Sequence, residues 1–65
     1  MQKNDKIYIA GHRGMVGGAI KRCLEKLEYT SLLTRTSKEL DLRSQASVLD
    51  FFEEEKPDYV FLAAA

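Results

Sequence analysis

Residues 7 to 20 read IYIAGHRGMVGGAI, and all four glycines of the chain lie inside this stretch, at positions 11, 14, 17 and 18. A β-branched and aromatic run precedes the first glycine, so Lys6 to Ala10 (KIYIA) is predicted as a buried strand. Beyond the glycines the period changes. Val16, Ala19, Ile20, Cys23, Leu24 and Leu27 recur at three- and four-residue spacing, which predicts a helix with these residues on its inward face. Lys21, Arg22, Glu25, Lys26 and Glu28 take the outward face, and Cys23 is expected to pack in the core.

A glycine-rich turn between a strand and a helix is the context in which glycine spacing carries chemical meaning. The first N–H groups of a helix lack internal partners, and the helix dipole adds partial positive charge there. Such a turn can seat a pyrophosphate if no side chain holds it away. In that reading Gly11 makes the tight turn, Gly14 lets phosphate oxygens reach the backbone, and Gly17 lets the helix pack closely on the sheet. The spacing is G-x-x-G-x-x-G rather than G-x-G-x-x-G, and by itself it equally suits a turn that only joins two elements.

The rest of the chain continues the alternation. Thr30 to Thr36 (TSLLTRT) suits a second strand, while Lys38 to Arg43 (KELDLR) reads as a loop or a very short strand. Ser44 or Ser47 is a candidate cap for a second helix running to about Lys56, with Val48, Phe51, Phe52 and Glu55 along one spiral and Leu49 beside it. Pro57 ends it, because the residue before a proline avoids helical geometry. Tyr59 to Ala65 (YVFLAAA) opens as a third strand. Strand, glycine turn, helix, strand, helix, strand implies a parallel sheet with right-handed crossovers. Parallel sheets are normally covered on both faces, so the order reads as the amino-terminal part of a larger α/β domain.

Composition narrows the function. The chain has 65 residues, and a single small domain of that size buries only roughly 60% of its unfolded surface. Ten basic side chains balance ten acidic ones, so no basic stripe points to nucleic acid or to an acidic membrane as a partner. Glu53, Glu54, Glu55 and Lys56 read as a solvated helix face. The lone Cys23 rules out an intrachain disulfide and a cysteine-based metal cluster, and suits a cytoplasmic location. Neither a signal peptide nor a stretch long enough to span a membrane is legible.

The end of the second strand adds a cofactor preference. In dinucleotide-binding folds an acidic residue about twenty positions beyond the glycines holds the ribose 2′-hydroxyl of NAD. Here that region is Thr34-Arg35-Thr36-Ser37-Lys38, with no carboxylate before Glu39. A cation there favours the 2′-phosphate of NADP. Arg13 approaches from within the glycine turn, Arg35 and Lys38 compete as the second cation, and Ser37 can add a hydrogen bond; each charge taken singly is equally a solvated surface group. Asp41 and Leu42 lie where an adenine would rest, the carboxylate accepting from the amino group and the leucine packing on the ring, unless Asp41 merely caps a turn. His12, with no acidic or cysteine neighbours, reads as a structural hydrogen-bonding group whose backbone matters more than its ring. Ala63, Ala64 and Ala65 leave room for a ligand across the sheet edge.

IYIAGHRGMVGGAI, RTSKELDL and KPDYVFLAAA together resemble the amino terminus of sugar-nucleotide reductases of the extended short-chain dehydrogenase/reductase family. The resemblance runs from Ile7 to Ala65, and AGHRGMVG is its most specific part. It implies a Rossmann-like doubly wound parallel sheet of the α/β class, of which residues 1–65 hold only the first βαβαβ portion, the amino-terminal part of an NADP-binding domain. It also implies an NADP(H)-dependent enzyme that epimerises C3 and C5 of a GDP-linked 4-keto-6-deoxy sugar and reduces its C4 ketone, and that forms a homodimer through helices further along. Carried over residue by residue, Gly11, His12, Arg13, Gly14, Met15, Val16 and Gly17 would bind the pyrophosphate, with Arg13 also on the 2′-phosphate. Asp41 and Leu42 would lie near the adenine, and Ala63, Ala64 and Ala65 beneath the cofactor. One departure stands out. Where the family pattern leads one to expect an arginine two places after Arg35, this chain has Ser37 followed by Lys38, which leaves the 2′-phosphate contact open between Arg35 and Lys38. The family's Tyr-x-x-x-Lys pair is absent: Tyr8, Tyr29 and Tyr59 are followed four positions on by His12, Leu33 and Ala63. No catalytic residue and no metal ligand is therefore expected in these residues, and alone they should show no reductase activity. Two other readings fit the same residues: an NAD-dependent epimerase or dehydratase acting on a nucleotide sugar, and a non-catalytic NADP-binding scaffold.

Overall fold

A computed structural model describes residues 1–63. The elements are β1 (Lys6–Ala10), α1 (Met15–Lys26), β2 (Ser31–Leu33), α2 (Gln45–Glu55) and β3 (Tyr59–Leu62). The strands form one parallel sheet in the order β2-β1-β3, with Lys6 opposite Ser31, Tyr8 opposite Leu33, Ile7 opposite Tyr59 and Ala10 opposite Leu62. The first strand is thus the central one, which explains its unbroken apolar run: a strand covered on both faces has no polar side to show.

Successive residues of β1 point to opposite faces, and each face has its own helix. Ile7 and Ile9, both fully buried, pack with Leu24 of α1 and with the half-buried Ile20, Tyr29, Leu32 and Phe61. Tyr8 and Ala10 pack on the other side with Leu40 and with Phe51 of α2, joined by Leu33, Val48 and Phe52. The result is a βαβαβ unit of a Rossmann-like, doubly wound α/β sheet, as the order of elements predicts.

Local chemistry sets the boundaries. The Ser44 side chain accepts a hydrogen bond from the Ser47 N–H and caps α2. Lys56 ends that helix in a left-handed conformation, φ 47°, donating its N–H to the Phe52 carbonyl at 2.9 Å, with Pro57 next. Asp58 then clasps the head of β1, its N–H donating to the Lys6 carbonyl (2.7 Å) while its carboxylate accepts from the Lys6 N–H (2.8 Å).

Several expectations need correction. Cys23 is exposed, as are Ala19, Val16 (61%) and Leu27 (52%). The stripe of α1 that meets the sheet is narrower than the periodicity suggests and rests on Gly17, Ile20 and Leu24, because the helix sits against one sheet and no other described element covers its flanks. The second strand is three residues long instead of seven, since Thr34 to Thr36 turn away into the loop that leads to Leu40. Leu49 is 61% exposed. Glu55 is not a solvated face residue: it is half-buried, with Oε1 3.3 Å from Lys6 Nζ and Oε2 3.7 Å from Arg35 Nη2.

Candidate nucleotide-binding cleft

The turn after β1 is built around two glycines. Gly11 has φ 83°, a conformation that side chains other than glycine rarely adopt, and its carbonyl accepts from the Gly14 N–H at 3.1 Å. Gly17 is buried against that same carbonyl: a Cβ there would stand 2.0 Å from the Gly11 oxygen and 2.6 Å from its carbon. Gly14 differs from both. Its φ of −79° suits any residue, and a Cβ would meet the Gly11 oxygen at an ordinary 3.5 Å. Gly14 is also the N-cap of α1, where no side chain caps the helix and no acidic residue sits in the first turn. Among the described residues, nothing calls for glycine at this position. The bare, exposed backbone is instead suited to a group approaching from outside, and the uncapped N–H groups behind it favour an anion.

Beside this turn lies a cleft of about 320 Å³ at the carboxyl ends of β1 and β2, the edge at which open parallel sheets bind ligands. Of the residues singled out from the sequence, Gly11, His12, Arg13, Gly14, Arg35, Ser37, Asp41 and Leu42 line it together. Met15 (90% exposed), Val16, Gly17 and Lys38 lie outside its lining. Ala63 follows β3 and donates its N–H to the Ala10 carbonyl at 2.9 Å; Ala64 and Ala65 fall outside the described residues. Tyr8, Thr36, Leu40 and Arg43 complete the wall. None of these four is marked in the sequence as a cleft residue, although Tyr8 lies in the strand that feeds the turn.

The two arginines differ in freedom. Arg13 is exposed and makes no ion pair among the described residues. Arg35 is held: one guanidinium nitrogen donates to the Thr34 carbonyl at 2.7 Å, another faces Glu55, and the group lies 5.2 Å from the centre of the Phe51 ring. Ser37 and Lys38 are both exposed.

The carboxylates near the cleft are already engaged. Asp41 accepts from the Arg43 N–H (2.9 Å), from its Nε (3.1 Å) and from its Nη2 (3.3 Å). These hydrogen bonds, the side-chain ones foremost, hold the Asp41 carboxyl below the usual range and raise the Arg43 guanidinium. The turn-capping role weighed for Asp41 is therefore present. Glu39 accepts from the Thr36 N–H at 2.7 Å, and that bond depresses its carboxyl. Glu39 is outside the lining of this cleft and lines a groove along α2 instead. Among the described residues, no free carboxylate stands at the end of β2 to receive a ribose hydroxyl. His12 Nδ1 is buried without a hydrogen-bond partner among the described residues.

Residues 7–65 match the model of the NAD dependent epimerase/dehydratase family. The chain is 56% identical over 63 residues to GDP-L-fucose synthase 1 of Arabidopsis thaliana, covering 97% of this chain and 20% of that protein. It is 52% identical over 60 residues to GDP-L-fucose synthase of Escherichia coli K12, covering 92% of this chain and 19% of that one. Among solved structures, a GDP-mannoheptose C4 reductase from Campylobacter jejuni with NADP bound superposes with a TM-score of 0.98 at 52% identity, over 100% of this chain and 21% of its own length. A GDP-D-glycero-L-gluco-heptose synthase from the same organism, crystallised in the presence of NADPH, gives the same score and identity. The chain thus spans about a fifth of the length of these relatives. With the glycine turn, the central buried strand and the matched residues taken together, the chain belongs to the NAD dependent epimerase/dehydratase family.

Proposed function

We propose that this chain is the NADP(H)-binding portion of a GDP-sugar epimerase/reductase, with conversion of GDP-4-keto-6-deoxy-D-mannose to GDP-L-fucose as its reaction. The observation that carries the cofactor reading is the uncapped start of α1 behind the bare Gly14 backbone, flanked by Arg13 and Arg35, with the nearby carboxylates committed elsewhere. The pyrophosphate would rest on the N–H groups between Gly11 and Gly17, the 2′-phosphate between Arg13 and the Arg35 to Lys38 segment, and the adenine against Leu42. Bound, the cofactor supplies the hydride for reduction at C4. This chain's residues bind and orient its adenosine half, and contribute no acid, base or nucleophile to the sugar chemistry.

The substrate reading rests on the names of the curated relatives at 52–56% identity. The similarity to GDP-heptose reductases favours a second substrate reading, a GDP-heptose carrying a C4 ketone. A homodimer and a cytoplasmic location accompany the proposal on the strength of the family resemblance.

The test is a pair of calorimetric titrations of the full chain with NADPH and NADH. NADPH should bind about tenfold or more tightly, and Arg13→Ala should remove most of that difference, as expected for loss of a charge-assisted contact to phosphate. Equal affinities would overturn the NADP reading in favour of an NAD-dependent epimerase or dehydratase.

A further inference from the structure

We infer that the Tyr8 hydroxyl, on the floor of the cleft, is a specificity-determining hydrogen-bond donor to a phosphate monoester bound beside Arg35. The inference rests on the NADP reading above, in which that monoester is the 2′-phosphate.

Tyr8 is only 2% exposed, yet it lines the cleft. Its ring is fully used by the core: the centroid lies 4.7 Å from that of Phe51 and 6.1 Å from that of Phe52. A phenylalanine would make the same contacts, so packing accounts for the ring and leaves the hydroxyl unexplained. A buried tyrosine hydroxyl ordinarily finds a partner. Here it makes no hydrogen bond to any described residue, and it is nevertheless not sealed in: among the described residues, the fully buried side-chain atom without a partner is His12 Nδ1. The phenol oxygen therefore opens into the cleft.

Its neighbour defines what it would meet there. Tyr8 and Arg35 converge on the same Phe51 ring, at 4.7 Å and 5.2 Å from its centre. Arg35 is kept in place by the Thr34 carbonyl and by Glu55, itself tied to Lys6 through Nζ. Burial keeps the phenol protonated, since it pushes the hydroxyl's pKa upward against the weaker pull of the Arg35 cation. A neutral O–H donor beside a held guanidinium, in a cleft that both residues line, suits the oxygens of a dianionic monoester better than a hydroxyl or an amine. Arg35, constrained from behind, presents charge; Tyr8 presents direction.

The experiment titrates 2′,5′-ADP and 5′-ADP into the full chain, wild type and Tyr8→Phe, by calorimetry, with a thermal melt of each protein. The wild type should prefer 2′,5′-ADP. Tyr8→Phe should lower affinity for 2′,5′-ADP by about tenfold, the range for a hydrogen bond to a charged group, while 5′-ADP changes less than about twofold and the melt is retained. An unchanged preference, or an equal loss on both probes, would overturn the role of Tyr8 and leave the NADP reading standing. Equal wild-type affinities for the two probes would overturn the NADP reading and this inference with it.

Discussion

Gly17→Ala puts the packing of the turn to its hardest test. The added methyl would sit 2.0 Å from the Gly11 carbonyl oxygen, whereas ordinary contact begins at 3.4 Å. The helix or the turn must therefore move by the difference, about 1.4 Å, a shift that exceeds the radial gap at which dispersion contacts lose up to half their depth. Neither side has slack. Gly11 is pinned by φ 83° and by its bond from Gly14, and α1 is seated through Leu24 and Ile20 on the fully buried Ile7 and Ile9. Overpacking against backbone of this kind costs about 3 kcal/mol, the upper part of the usual range, because no flexible side chain can give way. At about 0.05–0.15 kcal/mol per residue, 65 residues supply only about 3–10 kcal/mol of stability. At about 4–8 °C per kcal/mol, the melting temperature should fall by about 12 °C or more. The control is Gly14→Ala, whose methyl meets ordinary contact at 3.5 Å and whose φ is permissive. It should cost about 1 kcal/mol or less as a change of N-cap, yet weaken NADPH binding at least about tenfold by standing where the phosphate approaches. The assay is a paired thermal melt and calorimetric titration of the two variants in the full chain. A Gly17→Ala protein melting within about 3 °C of wild type would refute the assignment of Gly17 to packing.

Other outcomes follow from single contacts. Ser44→Ala should destabilise by about 0.5–1 kcal/mol in a denaturant titration, the lower half of the capping range, because the Ser47 N–H stands 3.4 Å from the Ser44 hydroxyl. The Asp41 carboxyl is depressed below 3.8 chiefly by its side-chain bond to Arg43, so its contribution to stability is present above pH 3.8 and is lost as the pH falls through its folded value. A carboxyl NMR titration should place its midpoint below 3.8, and Arg43→Ala should raise it part of the way back, the backbone N–H of residue 43 still donating to the carboxylate. Tyr8 behaves in the opposite sense: with its pKa raised above 10.0 by burial, the contribution is whole below pH 10.0 and disappears as the pH climbs through the folded value. Tyr8→Phe should flatten that alkaline limb of the stability curve; a limb of unchanged steepness would assign it to another group.

Much of this architecture is legible in the sequence because it is written in local chemistry. KIYIA announces a central strand by having no polar side, Ser44 and Pro57 bracket α2, and the glycine turn marks the binding edge. What escapes is everything decided by distant partners. Periodicity reports that α1 is amphipathic, but not how much of its apolar face another element covers, so Val16, Cys23 and Leu27 read as core and stand in solvent. Arg35 and Glu55 are twenty positions apart, on different elements, and their approach depends on α2 lying along one face of the sheet. The same holds for the capture of Asp41 by Arg43: the spacing permits it, and only the turn's geometry brings carboxylate and guanidinium within 3.1 Å. Tyr8 shows the limit most clearly, since strand alternation places its ring inward but cannot say that its oxygen reaches a cleft.

The strand order β2-β1-β3 has a consequence for synthesis. Lys6, at the head of the central strand, pairs with Asp58, 52 positions later in the chain. At ribosomal speeds of about 5–20 residues per second, about 3–10 s pass between the appearance of the one and the other. Throughout that interval a segment destined to be almost fully covered has emerged from the ribosome with at most one of its two neighbours made. In that interval KIYIA is the kind of uncovered apolar run that a chaperone stationed at the exit tunnel would bind. Slowing translation between β2 and β3 should lengthen its dependence on one, while the finished sheet would bear no trace of the wait.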